Sequence, residues 1–236
     1  SATTVWLTTS PAGPPPDRGR MTAEAGMAAT TSIGILVFDG VELLDLAGPY
    51  EVFTTASRLR RRDEPEAADL FDVFTVNRTG APVRAHAGLR ITAEHALSGC
   101  PAVDVLVVPG GVVDDELDRR ETLEWIASTA ARASITASVC TGALLLAAAG
   151  LLDGRRATTH WEDVHDLRSR WPAVTVEEGV RWIDEGDVVT AAGISAGIDM
   201  SLHLVERLAG RALALRTARQ MEYFWVDEGR NPAWTD

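Results

Sequence analysis

Two apolar runs constrain this chain more than any other feature of it. Ile33-Gly34-Ile35-Leu36-Val37-Phe38 and Val103-Asp104-Val105-Leu106-Val107-Val108 show almost no polar alternation. A strand with one wet face alternates, so runs like these predict strands covered on both sides, as in a parallel sheet between helices. Each run stops at a glycine turn, Asp39-Gly40 and Pro109-Gly110-Gly111. The alternating stretch 70–76 and the short run 135–139 add two more strands. Trp182-Ile183-Asp184 and Val188-Val189-Thr190 flank Glu185-Gly186-Asp187 and read as a hairpin. Helices are expected after Gly48-Pro49, because proline suits a first helical turn, and at about 121–133, 142–152, 197–209 and 211–225. Residues 58–67 read as a charged surface loop. Strands alternating with helices give an α/β fold with a mostly parallel sheet and helices on both faces.

At 236 residues and 46% hydrophobic, the chain is long and apolar enough to bury a core without staples. One domain is expected at 31–236. Residues 1–30, with Pro11, Pro14, Pro15 and Pro16 ahead of Met21 and Met27, read as a flexible extension. The net charge of −12 and the lack of a basic stripe argue against nucleic-acid binding. No apolar stretch is long enough to span a bilayer, so no membrane partner is expected. The two cysteines, Cys100 and Cys140, are too few for a disulfide framework and suit a reducing cytoplasm.

Chemistry concentrates at Ser138-Val139-Cys140-Thr141-Gly142, between a buried strand and an apolar helix. A sharp strand-to-helix turn of this kind is a nucleophile elbow: it lifts one side chain above the sheet and needs small neighbours. The helix N-terminus favours thiolate over thiol, which predicts a lowered Cys140 pKa. The N–H groups of Gly111, on the neighbouring Gly110-Gly111 loop, and of Thr141 are the expected oxyanion donors. Asp45 follows the first strand and falls at the same end of the sheet, where ligands bind in open α/β folds. Cys100 has no elbow around it and reads as structural.

Two other patterns lead elsewhere. Gly193-Ile194-Ser195-Ala196-Gly197 fits the G-x-S-x-G of α/β-hydrolases, but the downstream Asp199 and His203 share one helix and point along it, so no serine triad forms. His160 and His165 stand five apart, which splays their rings on a helix; metal-binding pairs need four. No metal or cofactor is expected. His86, His95 and His203 carry no motif.

The stretch from Ser138 to Trp161, with Leu44-Asp45-Leu46-Ala47-Gly48-Pro49, Val107-Val108-Pro109-Gly110-Gly111 and Gly193-Ile194-Ser195-Ala196-Gly197-Ile198-Asp199, resembles the DJ-1/PfpI superfamily. It is most similar to the branch holding isonitrile hydratases and the sensor domains of AraC-type regulators. The resemblance covers about residues 32–225. It implies a flavodoxin-like sandwich and a homodimer, for which apolar residues around Trp182 and Ile183 offer a surface. It implies that Asp45 stands against Cys140, protonated or sharing a proton. It makes Ile194 and Ser195 lining residues, and gives His160 a supporting polar role. Thr141 replaces the histidine of PfpI-type proteases, which argues against a peptidase. The reaction implied is hydration of an isocyanide to an N-formamide through a thioimidate on Cys140, with Thr141 orienting Asp45 or water through its hydroxyl. Two other readings stay open: a small-molecule sensor domain, for which the few residues after the last expected helix hold no helix-turn-helix units, and another activity of the superfamily such as glyoxalase, deglycase or redox-responsive chaperone.

Overall fold

The computed structural model describes residues 30–229. The extension expected at 1–30 lies, but for Thr30, outside the described residues, as do residues 230–236.

The strands, in chain order, are β1 (Thr31–Leu36), β2 (Phe71–Asn77), β3 (Val83–Arg84), β4 (Arg90–Ile91), β5 (His95–Ala96), β6 (Val105–Val108), β7 (Ile135–Val139), β8 (Arg156–Ala157), β9 (Thr175–Val176), β10 (Trp182–Asp184) and β11 (Val188–Ala191). The helices are α1 (Leu43–Asp63), α2 (Asp114–Leu117), α3 (Arg120–Ala130), α4 (Gly142–Ala148), α5 (Val164–Arg170), α6 (Ala196–Ala209) and α7 (Arg211–Gln220). Seven strands form the central sheet in the order β10-β11-β7-β6-β1-β2-β5. All pairs are parallel except β10 with β11, the expected hairpin. The chain runs outward from β1 to β2 and then in the opposite direction from β6 through β7 to β11. The order therefore reverses between β1 and β6, and the crevice above that reversal is where such sheets bind ligands.

The apolar runs behave as their composition requires. Ile33, Ile35, Val105, Leu106, Val107, Ala137 and Val139 are fully buried, on strands covered by helices on both faces. Register is pinned by pairs such as Ile33 with Val105 and Val108 with Ser138.

Four helix boundaries differ from the sequence reading. α1 begins at Leu43, not after Pro49. A first turn needs no acceptors for its amides, so the helix starts freely at Leu43, and Pro49 withholds only the bond to the Asp45 carbonyl. Residues 58–63 are the end of α1 rather than a loop. Arg58 pairs with Glu51 at 3.1 Å, and Arg60, Arg61 and Arg62 occupy the last turn, where the helix dipole favours cations. α4 stops at Ala148 and α7 at Gln220, where the chain turns through a positive φ of 51° at Glu222. The surface expected around Trp182 and Ile183 is not there. Ile183 is buried, and Trp182 stacks on His203 at 3.9 Å.

The turn from β7 into α4 depends on one close approach. A Cβ on Gly142 would sit 2.1 Å from the Val108 carbonyl oxygen at the end of the adjacent strand β6. Backbone is not free to yield there, so Gly142→Ala is expected to destabilise the fold by about 3 kcal/mol, the upper end of overpacking costs. Thermal melts should show a fall in Tm of about 6–12 °C for a chain of this size. A melt unchanged within a degree would mean the elbow is looser than this contact requires.

Candidate active site

Asp45 lies in the first turn of α1 and is completely buried. Its Oδ2 accepts the Gly110 N–H at 3.0 Å. Its Oδ1 is buried with no hydrogen-bond partner of good geometry among the described residues. Burial pushes its pKa up to about 7, against the Gly110 bond and helped by the nearby Glu42 charge; the Cys140 side chain beside it pulls the other way. Asp45 therefore titrates near neutrality.

Cys140 sits at the elbow with a positive φ of 57°, a conformation that costs a non-glycine residue about 1–3 kcal/mol. Its surroundings hold it there. Its N–H donates to the carbonyls of Ala191 and Ala192, both at 3.1 Å, and its carbonyl accepts the Thr159 hydroxyl at 2.9 Å. The side chain is buried, 7% exposed. Burial and the Asp45 carboxylate push the thiol up to about 12. This overturns the lowered pKa expected from a helix N-terminus. The N–H groups of Thr141 and Ile194 are directed at the sulfur and favour its anion, but desolvation and the neighbouring carboxylate outweigh them. Above about pH 7 the resting pair is a carboxylate beside a neutral thiol, with one proton between them.

The Gly110-Gly111 loop is placed as expected but used differently. The Gly110 N–H is committed to Asp45. The Gly111 N–H donates to Thr141 Oγ1 at 2.8 Å, and Thr141 Oγ1 donates back to the Gly111 carbonyl at 2.8 Å. Gly111 therefore has no free oxyanion donor, and the Thr141 hydroxyl is occupied and does not orient Asp45. The amides set against the sulfur are those of Thr141, expected from sequence as an oxyanion donor, and of Ile194, known from sequence only as a lining residue.

Ile194 has a φ of 48°, a true outlier for a β-branched residue. Ser195 caps α6, and its hydroxyl accepts Arg181 Nη2 at 3.1 Å, which takes it out of nucleophilic chemistry. His160 points its Nδ1 at the Glu162 N–H at 3.3 Å and at Asp163 Oδ2 at 3.4 Å. Its ring lies against Gly193, where an added Cβ would sit 2.2 Å from Cδ2. It packs the loop and holds no bond to the sulfur. Beside Ile194 opens a cavity of about 660 Å³, walled by Thr159, His160, Trp161, Val164, Val180 and Ile194 among others. Among the described residues no cluster of metal ligands occurs.

Sequence reasoning missed the buried pair behind the loop. Arg181 Nε donates to Asp199 Oδ2 at 2.8 Å, and Asp199 is fully buried in the first turn of α6. Tyr223 Oη, Trp225 Nε1 and the Val226 N–H all bond to the same aspartate residue. A signal existed: Asp199 stands among Ile198, Met200 and Leu202 on a largely apolar helix, where an acid needs a buried partner.

The DJ-1/PfpI family model matches residues 31–207, most of the described fold. The chain belongs to the DJ-1/PfpI family. Within that family it is 39% identical over 192 residues to an isonitrile hydratase of Pseudomonas putida, covering 81% of this chain and 78% of that protein. It is 33% identical over 192 residues to the HTH-type transcriptional regulator GbdR of Pseudomonas aeruginosa; it spans only 50% of that regulator's length, and the match covers 81% of this chain. Among solved structures, a THiJ/PfpI family protein from Pseudomonas syringae superposes with a TM-score of 0.73 at 30% identity, covering 93% of this chain and 84% of that one. No helix among the described residues is long and apolar enough to cross a membrane.

The buried carboxyl has a signature in stability. Unfolded, Asp45 loses its proton near 3.8; folded, it keeps the proton to about 7. Between those values the native state binds the extra proton, so stability falls as pH rises through that window. Asp45→Asn removes the buried charge and is expected to melt higher than wild type at pH 8, with the two converging by pH 4. Equal melting temperatures at pH 8 would rule out a buried, destabilising carboxylate.

Proposed function

We propose that this protein is a cysteine-dependent hydratase that converts isocyanides to N-formamides. The observation that carries the reading is the Asp45 carboxyl: buried beside Cys140, titrating near neutrality, and with one oxygen unpartnered. A group so placed can take the thiol proton and return it to substrate. His160, the histidine brought nearest this loop, is bonded elsewhere. The 39% identity to an isonitrile hydratase supports the same reading.

An isocyanide, R–N≡C, carries an electrophilic terminal carbon and no leaving group, so covalent capture suits it. Cys140 passes its proton to Asp45 as the sulfur bonds to that carbon. Asp45 delivers the proton to the same carbon, giving the thioimidate R–N=CH–S. The carboxylate then takes one proton from water as the water oxygen adds to the carbon, and Asp45 passes that proton to the nitrogen, leaving R–NH–CH(OH)–S with the hydroxyl proton within reach of the regenerated carboxylate. The C–S bond breaks, R–NH–CHO leaves, and the sulfur recovers its proton through Asp45. The amides of Thr141 and Ile194 hold the sulfur while it carries negative charge, on attack and on departure. The R group occupies the cavity beside Ile194, with Trp161, Val164 and Val180 against it.

The expected outcome is formamide formation from a simple aryl or alkyl isocyanide, followed by chromatography. Cys140→Ala should abolish it. Asp45→Asn should lower kcat by about 10²–10⁴-fold, the usual contribution of a general acid–base. The competent pair holds one proton, so kcat/KM should rise with pH and level off above about pH 7, where Asp45 has ionised. Absence of formamide with Cys140 reduced would favour the second reading, a small-molecule sensor, which the similarity to the HTH-type regulator supports. A sensor binds its ligand without turnover.

The first turn of α1, which carries Asp45, exposes Leu43 and Leu44, and the residue after Gly111 exposes Val112. Exposed apolar side chains beside a glycine loop suit burial against a partner, and we infer a homodimer. Light scattering at micromolar concentration should give twice the monomer mass of 25.3 kDa; a monomer mass would refute it.

A further inference from the structure

The loop that bears Ile194 is strained, and it is held by side chains that run from the cavity wall, at Arg181 and Ser195, to a buried anchor. Ile194 has a left-handed φ of 48°, which β-branched residues avoid, yet that conformation aims its N–H at the Cys140 sulfur. The next residue, Ser195, is gripped twice. Its hydroxyl accepts Arg181 Nη2 at 3.1 Å, and its carbonyl accepts the Tyr223 hydroxyl at 3.4 Å. Both grips converge on one buried anchor. Arg181 bonds Asp199 Oδ2 through Nε at 2.8 Å and also through Nη2, and Tyr223 Oη reaches the same oxygen at 3.2 Å. The other carboxylate oxygen, Oδ1, accepts the Val226 N–H at 2.9 Å. The Arg181 backbone joins in, its N–H donating to the Gly229 carbonyl at 2.7 Å and its carbonyl accepting the Ala192 N–H at 2.8 Å. Ala192 in turn shares its carbonyl with the Cys140 N–H. Arg181, Ala192 and Ser195 line the cavity assigned above to the R group, but the proton-transfer steps proposed above use none of their polar groups.

We propose that Arg181, clamped by Asp199 and Tyr223, is a positioning residue that pins Ser195 and so keeps Ile194 left-handed with its amide on the Cys140 sulfur. Charge alone would not do this. A guanidinium reaches Asp199 and Ser195 at once because its donors form a rigid fork; a lysine ammonium lacks that fork. The network links the segment after α7 to the elbow, so residues more than 80 positions from Cys140 tune its sulfur (223 − 140 = 83).

The test is the rate at which iodoacetamide alkylates Cys140, read by mass spectrometry on the Cys140 peptide from pH 7 to pH 11. This profile reports the sulfur itself, whatever substrate it serves, so it stands apart from the hydratase reading. Ser195→Ala leaves the Arg181–Asp199 pair intact and removes only the hook. It should slow alkylation about three- to ten-fold at pH 9, the rate equivalent of one lost hydrogen bond, and move the profile to higher pH. Ser195→Thr keeps a hydroxyl and should restore it. Arg181→Lys should resemble Ser195→Ala; if it does not fold, Ser195→Ala decides alone. Glycine adopts a left-handed φ without strain, so in an Ile194→Gly background the Ser195→Ala change should slow alkylation less than two-fold. A Ser195→Ala profile that overlays wild type overturns the proposal. So does a failure of Ser195→Thr to restore the rate. An equal slowing in both backgrounds also overturns it, because the hydroxyl would then act on the sulfur without the strained backbone.

Discussion

A fully buried carboxyl faces an almost fully buried thiol, and the neighbourhood is arranged around the single proton that they hold between them. Asp45 reaches the sulfur because α1 begins immediately after the turn that ends β1. Cys140 reaches the carboxyl because Gly142 lets the chain turn against the Val108 carbonyl. The Gly110 N–H fixes one carboxyl oxygen and leaves the other open. Each group would be unremarkable in water. Together, away from water, they cannot both carry charge, and that exclusion sets the state of the site.

The same exclusion explains why a helix N-terminus fails to give an acidic thiol here. α4 is seven residues long, and its first amides offer a fraction of a charge at close range. Against that stand the loss of hydration and a whole negative charge on Asp45. A low thiol pKa is one route to a reactive sulfur. Here the sulfur has instead a buried carboxylate beside it, and the resting thiol stays neutral; in the reaction proposed above that carboxylate is the base.

Much of this was legible in the chain. The apolar runs at 33–38 and 103–108 specify a two-sided sheet, and their glycine stops mark the end where chemistry collects. Cys140 could be singled out from the small residues that follow it, and its pairing with Asp45 from the resemblance of the surrounding motifs. What could not be read were the partners of backbone amides. Nothing in Gly110-Gly111 tells which amide serves Asp45 and which serves Thr141, because that depends on a twist of the loop smaller than the spacing of residues. Pro49 suggests a first helical turn that the fold does not use, because α1 tolerates one lost bond further in. Arg181 was invisible for a different reason. It sits in an irregular stretch before β10, and its partners Asp199 and Tyr223 come from separate helices and turns. The buried acid on α6 was the only trace of it.

The reversal of strand order between β1 and β6 has a consequence for the life of the molecule. Asp45 and Cys140 stand 95 residues apart in the chain (140 − 45), and they meet only when β6 has slotted between β1 and β7. Before that, Asp45 is an ordinary surface acid and Cys140 an ordinary thiol, ionising near 8.5 like any free cysteine. Completion of the sheet lifts the thiol toward 12. Folding therefore quiets this cysteine toward stray oxidants and alkylating agents, whose attack follows thiolate content and access. A newly made or damaged copy is the one at chemical risk; in the finished protein the sulfur is buried and its thiol stays neutral.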